Sequence, residues 1–192
     1  MAQILNLTKL YSSQEMEEAA TSNDSFEEVE AGAYVCKIVD AILNLNDNEN
    51  KRNIQLQLDI AEGEHKGFFQ RLEDRAGFWG LNGYMSFKKD QVNRFSKTCT
   101  SINNSNPGYS FNPMNGDADV DSLKGKMIGV IIGREEYMSK SGDIREKCYV
   151  FQFLEVNKAR NCKAKIPELK KLEKNDGFMK IPEGTMESIP FN

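Results

Sequence analysis

The sequence predicts a mainly β domain with five strands and one helix between the third and fourth strands. The clearest strand runs from Ile54 to Ile60, where apolar residues alternate with polar ones as in a strand with one buried face. A β-branched run over 127–137 is interrupted by glycines, which indicates a bulged or sharply bent strand. Between them, apolar side chains recur every three or four residues over 88–103, the spacing of an amphipathic helix.

The other three strands are predicted from β-rich runs that end at polar turns. The first covers 34–43 and stops at a loop rich in Asn and Asp. The third covers 68–72 and follows a turn at 62–67 with two glycines, which indicates a hairpin with the second strand. The fifth covers 145–156, beyond a turn at 139–143. Its alternating aromatic residues are expected in the core: Tyr149, Phe151 and Phe153.

This order of elements is the connectivity of an OB-type Greek-key barrel, in which five strands close into a small barrel and a helix lies between strands 3 and 4. Another small β-barrel, or an α+β sheet with one packing helix, remains open as an alternative. The length of 192 residues fits one such domain with additional arms.

The charge is unevenly distributed along the chain. The formal net charge is −4, but residues 1–30 carry seven acidic residues and one basic residue, so the remainder is slightly basic. Segment 157–181 is strongly basic. We therefore predict an acidic N-terminal arm (1–30), a barrel domain (31–157), a basic extension (158–181) and a C-terminal tail (182–192). The overall acidity does not exclude a polyanionic ligand.

The common catalytic and metal-binding motifs are absent from the sequence. Asp117, Asp119 and Asp121 are spaced like the start of a calcium loop, but Ser122 stands where that loop needs glycine. Four scattered cysteines form no Cys-x-x-Cys pair, and the single histidine lies in a turn. We expect no catalytic site, metal or cofactor. A hydrolase or nuclease would depend on the three aspartates alone.

Two further features bear on location. No apolar run approaches the roughly 20 residues that span a bilayer, so we expect no contact with a membrane. The N-terminal residues do not have the pattern of a secretory signal. The sequence therefore predicts a cytoplasmic protein with reduced thiols.

Aromatic and basic residues lie close together on the predicted third to fifth strands and their loops. A base stacked on an aromatic ring contributes roughly 1–3 kcal/mol without any sequence code, and phosphates need only Lys or Arg along their path. The predicted stacking residues are Phe69, Trp79 and Tyr137, with Phe78 as a further choice. The predicted phosphate ligands are Lys66, Arg71, Arg75, Arg134, Lys140, Arg145 and Lys147. We expect binding of single-stranded DNA, with the acidic arm as a competitor for the same face and the oligomeric state left open.

The C-terminal tail carries a second motif. Ile189 and Phe191 are apolar anchors joined by Pro190, a combination suited to a pocket on another protein. With the preceding Glu187-Ser188, this segment resembles the tip of bacterial and phage single-stranded DNA-binding proteins. The resemblance implies that Ile189, Pro190 and Phe191 bind replication or recombination proteins. A tail packed on the domain is the alternative.

Three segments of the body carry a broader resemblance: Glu30-Ala31-Gly32-Ala33-Tyr34, the turn at 62–67, and Leu123-Lys124-Gly125-Lys126. Over roughly 28–157 the chain resembles a family of phage proteins of formally unknown function that lie among replication and recombination genes. That resemblance implies sequence-nonspecific binding of single-stranded DNA during phage replication or recombination in a bacterial host cell. The alternative is an OB-like interaction factor that recruits or inhibits a replication, recombination or host-defence enzyme without strong DNA binding.

Overall fold

The computed structural model describes residues 12, 28–116, 118–161 and 165–172, which form a five-stranded antiparallel sheet with a few helices. The strand order is β3-β2-β1-β4-β5. The strands are β1 (Gly32–Asn44), β2 (Asn53–Ile60), β3 (Asn82–Ser86), β4 (Met127–Met138) and β5 (Ile144–Leu154). The helices are α1 (Phe68–Ala76), α2 (Val92–Ser105) and α3 (Val156–Arg160), with short 3-10 turns at Glu49–Lys51, Lys89–Gln91, Pro113–Asn115 and Asp121–Leu123. Most of the predicted acidic arm, and all of the predicted tail with Ile189, Pro190 and Phe191, lie outside the described residues.

Strand β1 lies at the centre of the sheet and pairs on both sides. Its residues 36–44 pair with β2, and its residues 32–37 pair with β4. The register with β2 shifts between Ile38 and Asp40, which places a bulge near the middle of the strand. Because a bulge bends its strand and increases the local twist, β1 can pair with β2 and with β4 along different parts of its length.

The two outermost strands of the sheet, β3 and β5, approach each other closely. A β-carbon built on Gly83 of β3 would overlap the ring of Phe153 of β5 and would lie 3.4 Å from Leu58 Cδ1. Leu56 and Leu58 of β2 lie next to Gly83, and both belong to the same buried core as Phe153. Glycine is therefore needed at this position because its missing side chain leaves room for the aromatic ring.

The main core lies on one face of the sheet, where α2 and the loops cover it. Its fully buried members include Leu56, Leu58, Phe69, Leu81, Ile102, Phe111, Ile128 and Ile132. A smaller cluster, in which α3 packs on the opposite face, contains Val35, Ile131, Leu154, Val156 and Ala159. Strand β4 is thus buried on both faces in its first half, which explains why neighbouring positions there, Val130, Ile131 and Ile132, are all apolar.

The mainly β class is confirmed, and four of the five predicted strands and the helix before β4 are confirmed with shifted ends. The prediction of a third strand at 68–72 is wrong, since these residues begin α1 and the turn before them does not lead into a hairpin. The third strand, Asn82–Ser86, begins inside the stretch 77–84, which reads as a Gly- and aromatic-rich loop in the sequence.

Helix α1 forms here for reasons that are local. The Asp59 carboxylate Oδ1 accepts hydrogen bonds from the backbone N–H groups of Phe69 (2.9 Å) and Ile60 (2.9 Å), so it satisfies a donor in the first turn of the helix. Gly67 before the helix and Gly77 after it adopt positive φ values of 75° and 72°, which suit glycine. The helix is therefore fixed at both ends by the residues that bound it.

The prediction that all three aromatic residues of β5 lie in the core is confirmed for Phe153 alone among them. Phe153 is buried and Tyr149 is half-buried, but Phe151 is 43% exposed. The register between β4 and β5 breaks at this point, since Gln152 lies opposite Ile131 whereas Val150 lies opposite Ile132. Phe151 is the extra residue of this bulge, and its side chain is directed to solvent.

Replacing Asp59 by alanine is expected to reduce the free energy of unfolding by about 1–3 kcal/mol, because it leaves the buried N–H of Phe69 without its acceptor. Chemical denaturation measures the loss. The matched variant Asp59→Asn keeps an oxygen acceptor and should lose less. Equal stability of Asp59→Ala and the unmodified protein would contradict this role.

Replacing Gly83 by alanine is expected to destabilise the fold by about 1–3 kcal/mol through overlap with the Phe153 ring. Thermal or denaturant unfolding measures the effect. In a double-mutant cycle, adding Phe153→Leu removes the overlapping ring, so the double variant should lose less stability than the sum of the single variants. Simple additivity would argue against close contact between β3 and β5.

Candidate nucleic-acid interface

An open cavity of about 300 Å³ lies between α1, the loop after it and the β4–β5 hairpin. We call it the hairpin cavity. Its apolar walls include Phe68, Leu72, Phe78 and Tyr137. Its charged lining residues are Glu28, Arg75, Arg134, Glu146 and Lys147. The cavity therefore combines flat apolar surface with charges of both signs.

Five of the predicted binding residues line the hairpin cavity, and one of them, Phe69 of α1, is a buried part of its wall. Arg75 comes from the last turn of α1, whereas Arg134, Tyr137 and Lys147 come from β4 and β5. Arg71 lies next to them, on a neighbouring cavity of about 260 Å³ shared with Phe68, Leu72 and Arg75. The fold thus gathers residues that are far apart in the sequence, because α1 packs against β2 and presents its C-terminal end to the hairpin.

Arg134 is the most enclosed cation of the cavity and is balanced by carboxylates. Its guanidinium lies 2.7 Å from Glu28 Oε2 and 2.9 Å from Glu146 Oε2, and its side chain is only 20% exposed. Burial would lower the pKa of Arg134, but the hydrogen bond to Glu28 and the two negative charges outweigh that effect and raise it. Glu28 is the more exposed partner, so it is the carboxylate that a phosphate would displace.

The aromatic surface of the cavity has two parts. Phe78 is 57% exposed and follows α1 directly. Tyr137 is half-buried, with the ammonium of Lys147 5.6 Å from its ring centroid. Lys147 also lies 3.2 Å from Glu135 Oε1. Of these rings, Phe78 offers the larger free face for stacking.

Two predicted stacking residues are engaged in packing within the fold. Phe69 is 1% exposed and packs edge-on against Phe68 with ring centroids 5.1 Å apart, so its predicted stacking role is wrong. Trp79 packs against the core, and its Nε1–H donates to the carbonyl oxygens of Leu58 (3.2 Å) and Leu81 (3.0 Å). Its indole therefore connects the loop after α1 to β2 and β3 instead of presenting a face to a base.

The remaining predicted cations do not line the hairpin cavity. Lys66 is exposed in the turn before α1, where its carbonyl oxygen accepts a hydrogen bond from Arg71 Nη1 (2.6 Å). Lys140 is exposed in the β4–β5 turn. Arg145 lies 3.8 Å from Asp143 in the same hairpin. These residues stay predictions for the outer path of a ligand.

Sequence reasoning missed the apolar walls and the balancing carboxylate. Phe68, Leu72 and Arg75 follow the i, i+4, i+7 spacing of one helix face, and that signal was available in the sequence. The contact of Glu28 with Arg134 joins positions more than a hundred residues apart, and no local pattern indicates it.

Part of the predicted basic extension lies beside this region. The backbone of Lys170 pairs with the backbone of β4. The Lys170 N–H donates to the Arg134 carbonyl (3.0 Å), and the Lys170 carbonyl accepts from the Glu136 N–H (2.9 Å). Its ammonium lies 3.3 Å from Glu135 Oε2. Glu135 therefore neutralises two lysines, Lys147 and Lys170, and these contacts hold its pKa below the ordinary value despite burial, which acts to raise it.

Within the described parts of the chain, no three His, Cys, Asp or Glu residues lie together as potential metal ligands. Asp117 of the predicted acidic triplet lies outside them. No helix in the same parts is long and apolar enough to cross a membrane. Comparison with models of known protein families found no match, and neither did a search of curated proteins.

The buried thiols predict a loss of stability at high pH. Burial raises the pKa of Cys148, which lines the hairpin cavity, and that of Cys99 to about 11, from an ordinary value of 9.0. The folded state therefore keeps these protons where the unfolded chain releases them, and the resulting stability is present below pH 9 and lost as the pH rises towards 11.

Denaturant unfolding at about pH 8 and about pH 10 measures this loss. The double variant Cys99→Ala with Cys148→Ala should lose less stability than the unmodified protein over the same interval. An identical loss in both proteins would assign the effect to other groups.

Proposed function

We propose that this protein binds single-stranded DNA without sequence preference, through an OB-type barrel whose hairpin cavity takes up an unstacked base. The observation that carries the proposal is the composition of that cavity, in which Phe78 and Tyr137 stand beside Arg75 and Lys147. An aromatic face accepts any base, and adjacent cations accept the phosphates that flank it.

The strand arrangement supports an OB-type barrel. The order β3-β2-β1-β4-β5 becomes the cyclic order of that barrel if β3 and β5 close the ring, and Gly83 and Phe153 are in contact at this position. Helix α2 lies between β3 and β4, as the barrel requires. The hairpin that joins strands 4 and 5 is one of the two loops by which OB domains bind oligonucleotides, and here it borders the cavity.

The setting of this activity is proposed from the resemblance of the body and the tail to phage proteins. It is DNA replication or recombination in the cytoplasm of a bacterial host cell, with Ile189, Pro190 and Phe191 available for a protein partner. Binding DNA in this way requires no catalytic group or cofactor.

The charge balance at Arg134 favours a second candidate function. A cation that already has two carboxylate partners, set among apolar walls, also suits an apolar side chain of a protein partner. In that case the protein would recruit or inhibit another enzyme and would bind DNA weakly.

Titration with a fluorescent oligo-dT of about 20 nucleotides tests the proposal, since one OB domain covers about 4–16 nucleotides. Phe78→Ala is expected to weaken binding by about 1–3 kcal/mol, whereas Phe78→Tyr keeps the ring and should bind normally. Arg75→Ala should reduce the salt dependence, the slope of log K against log salt, by about 0.7. No binding at low salt would reject the function and leave the interaction factor as the explanation.

Replacing Glu28 by glutamine is expected to strengthen oligo-dT binding by about 1.5- to 5-fold, the range for removal of one exposed ion-pair partner, because Arg134 becomes available to phosphate. The matched control is Glu30→Gln, which removes an exposed carboxylate two residues away. The same titration measures both variants. Equal effects of the two substitutions would indicate general charge and not displacement at Arg134.

A further inference from the structure

A second groove runs along the seam where β3 and β5 face each other beside α2. One cavity of about 400 Å³ is lined by Tyr84, Lys88, Arg94 and Tyr149, and a neighbouring cavity of about 480 Å³ is lined by Arg94, Lys97 and Phe151. Both cavities include Asp90, Arg94 and Thr98 in their walls, so they adjoin each other and we treat them together. We call the pair the seam groove and define it by Tyr84, Lys88, Arg94, Lys97, Tyr149 and Phe151.

The seam groove has an excess of available positive charge. Lys88 and Lys97 are exposed, and among the described residues neither forms an ion pair with a carboxylate. Arg94 Nη2 donates to the carbonyl oxygen of Phe151 (2.9 Å), and this bond fixes the position of the side chain. Because a carbonyl oxygen is neutral, the bond does not balance the charge of Arg94. The carboxylates in the walls are Asp90 and Glu135, and Glu135 is already paired with Lys147 and Lys170.

This charge distribution is the reverse of that in the hairpin cavity. There, the enclosed Arg134 is neutralised by two carboxylates before any ligand arrives. In the seam groove, a phosphate meets lysines that need not release a protein partner first. Phosphate contacts in the seam groove are therefore the more favourable of the two.

Exposed aromatic rings lie between these cations. Tyr84 is 54% exposed and stands on the outer face of β3, opposite Gln55 of β2. Phe151 is 43% exposed because the bulge in β5 turns it away from the core. Each of the two cavities thus has one exposed ring in its wall, Tyr84 in the first and Phe151 in the second. Lys88 lines the first cavity and Lys97 lines the second.

The groove is also lined by side chains that can bond to base edges. Gln91, Asn93 and Gln152 place amide donors and acceptors along the two cavities. Rings for stacking, amides for base edges and lysines for phosphates are the combination used for splayed single strands. Duplex bases are stacked on one another and could not reach Tyr84 or Phe151.

We infer that the seam groove is a binding site for single-stranded nucleic acid, with Tyr84 and Phe151 as stacking residues and Lys88, Arg94 and Lys97 as phosphate ligands. This inference rests on the proposed function. It adds a site that is lined by none of the binding residues predicted from the sequence.

The test uses the full chain and the same fluorescent oligo-dT of about 20 nucleotides, with a matched duplex as a second probe. Tyr84→Ala and Phe151→Ala are each expected to weaken binding roughly 5- to 150-fold, whereas Tyr84→Phe retains a ring and should bind normally. Both side chains are exposed, and thermal unfolding checks that the variants remain folded.

The double variant Lys88→Ala with Lys97→Ala is expected to reduce the slope of log K against log salt by about 1.4, or about 0.7 for each lost contact. Lys37→Ala is the control, since Lys37 is an exposed lysine on β1 outside both cavities. It should leave the slope unchanged.

The outcomes separate this site from the proposed function. If oligo-dT binds and only the Phe78 and Arg75 variants weaken it, the seam groove is not a site although the function stands. If the duplex binds as tightly as the single strand, or if Lys37→Ala matches the double variant, the inference is likewise overturned. If oligo-dT does not bind at low salt, the function itself fails.

Discussion

The buried carboxylate of Asp59 determines how the chain leaves β2. One of its oxygens accepts two backbone N–H groups, that of Ile60 and that of Phe69, and so couples the end of the strand to the start of α1. With α1 held there, Phe69 fills the core and Phe68 and Leu72 face the β4–β5 hairpin. The wall of the hairpin cavity depends on Asp59, a side chain that does not itself line the cavity.

Much of the sheet could be predicted from the sequence because hydrophobic periodicity reports burial directly. The alternation from Ile54 to Ile60 and the three-and-four spacing along α2 both reflect faces that are buried in the structure. Helix α1 was missed because nine residues with adjacent phenylalanines also fit a short strand, and because its cap comes from Asp59, within the preceding strand. The five residues of β3 were missed because a glycine and polar residues interrupt them.

The candidate sites were less predictable, for a different physical reason. A sequence shows which residues are cationic, but the availability of each charge depends on contacts between distant segments. Arg134 is neutralised by Glu28, whereas Lys88 and Lys97 meet no carboxylate among the described residues. Phe151 illustrates the same limit for aromatic residues, since the register break that exposes it is a property of the β4–β5 pair and leaves the sequence alternation intact.

The segment at 165–172 covers part of an exposed strand edge. Pairing of β1 with β4 ends at Gly32 and Ile132, so β4 continues for several residues with one edge not covered by β1. Lys170 occupies that edge by bonding to the backbone of Arg134 and Glu136. An open strand edge is a template for pairing with another chain, and a lysine-bearing segment laid across it blocks that route. The described segment at 165–172 thus satisfies backbone groups of β4 that β1 leaves unpaired, a property independent of any ligand.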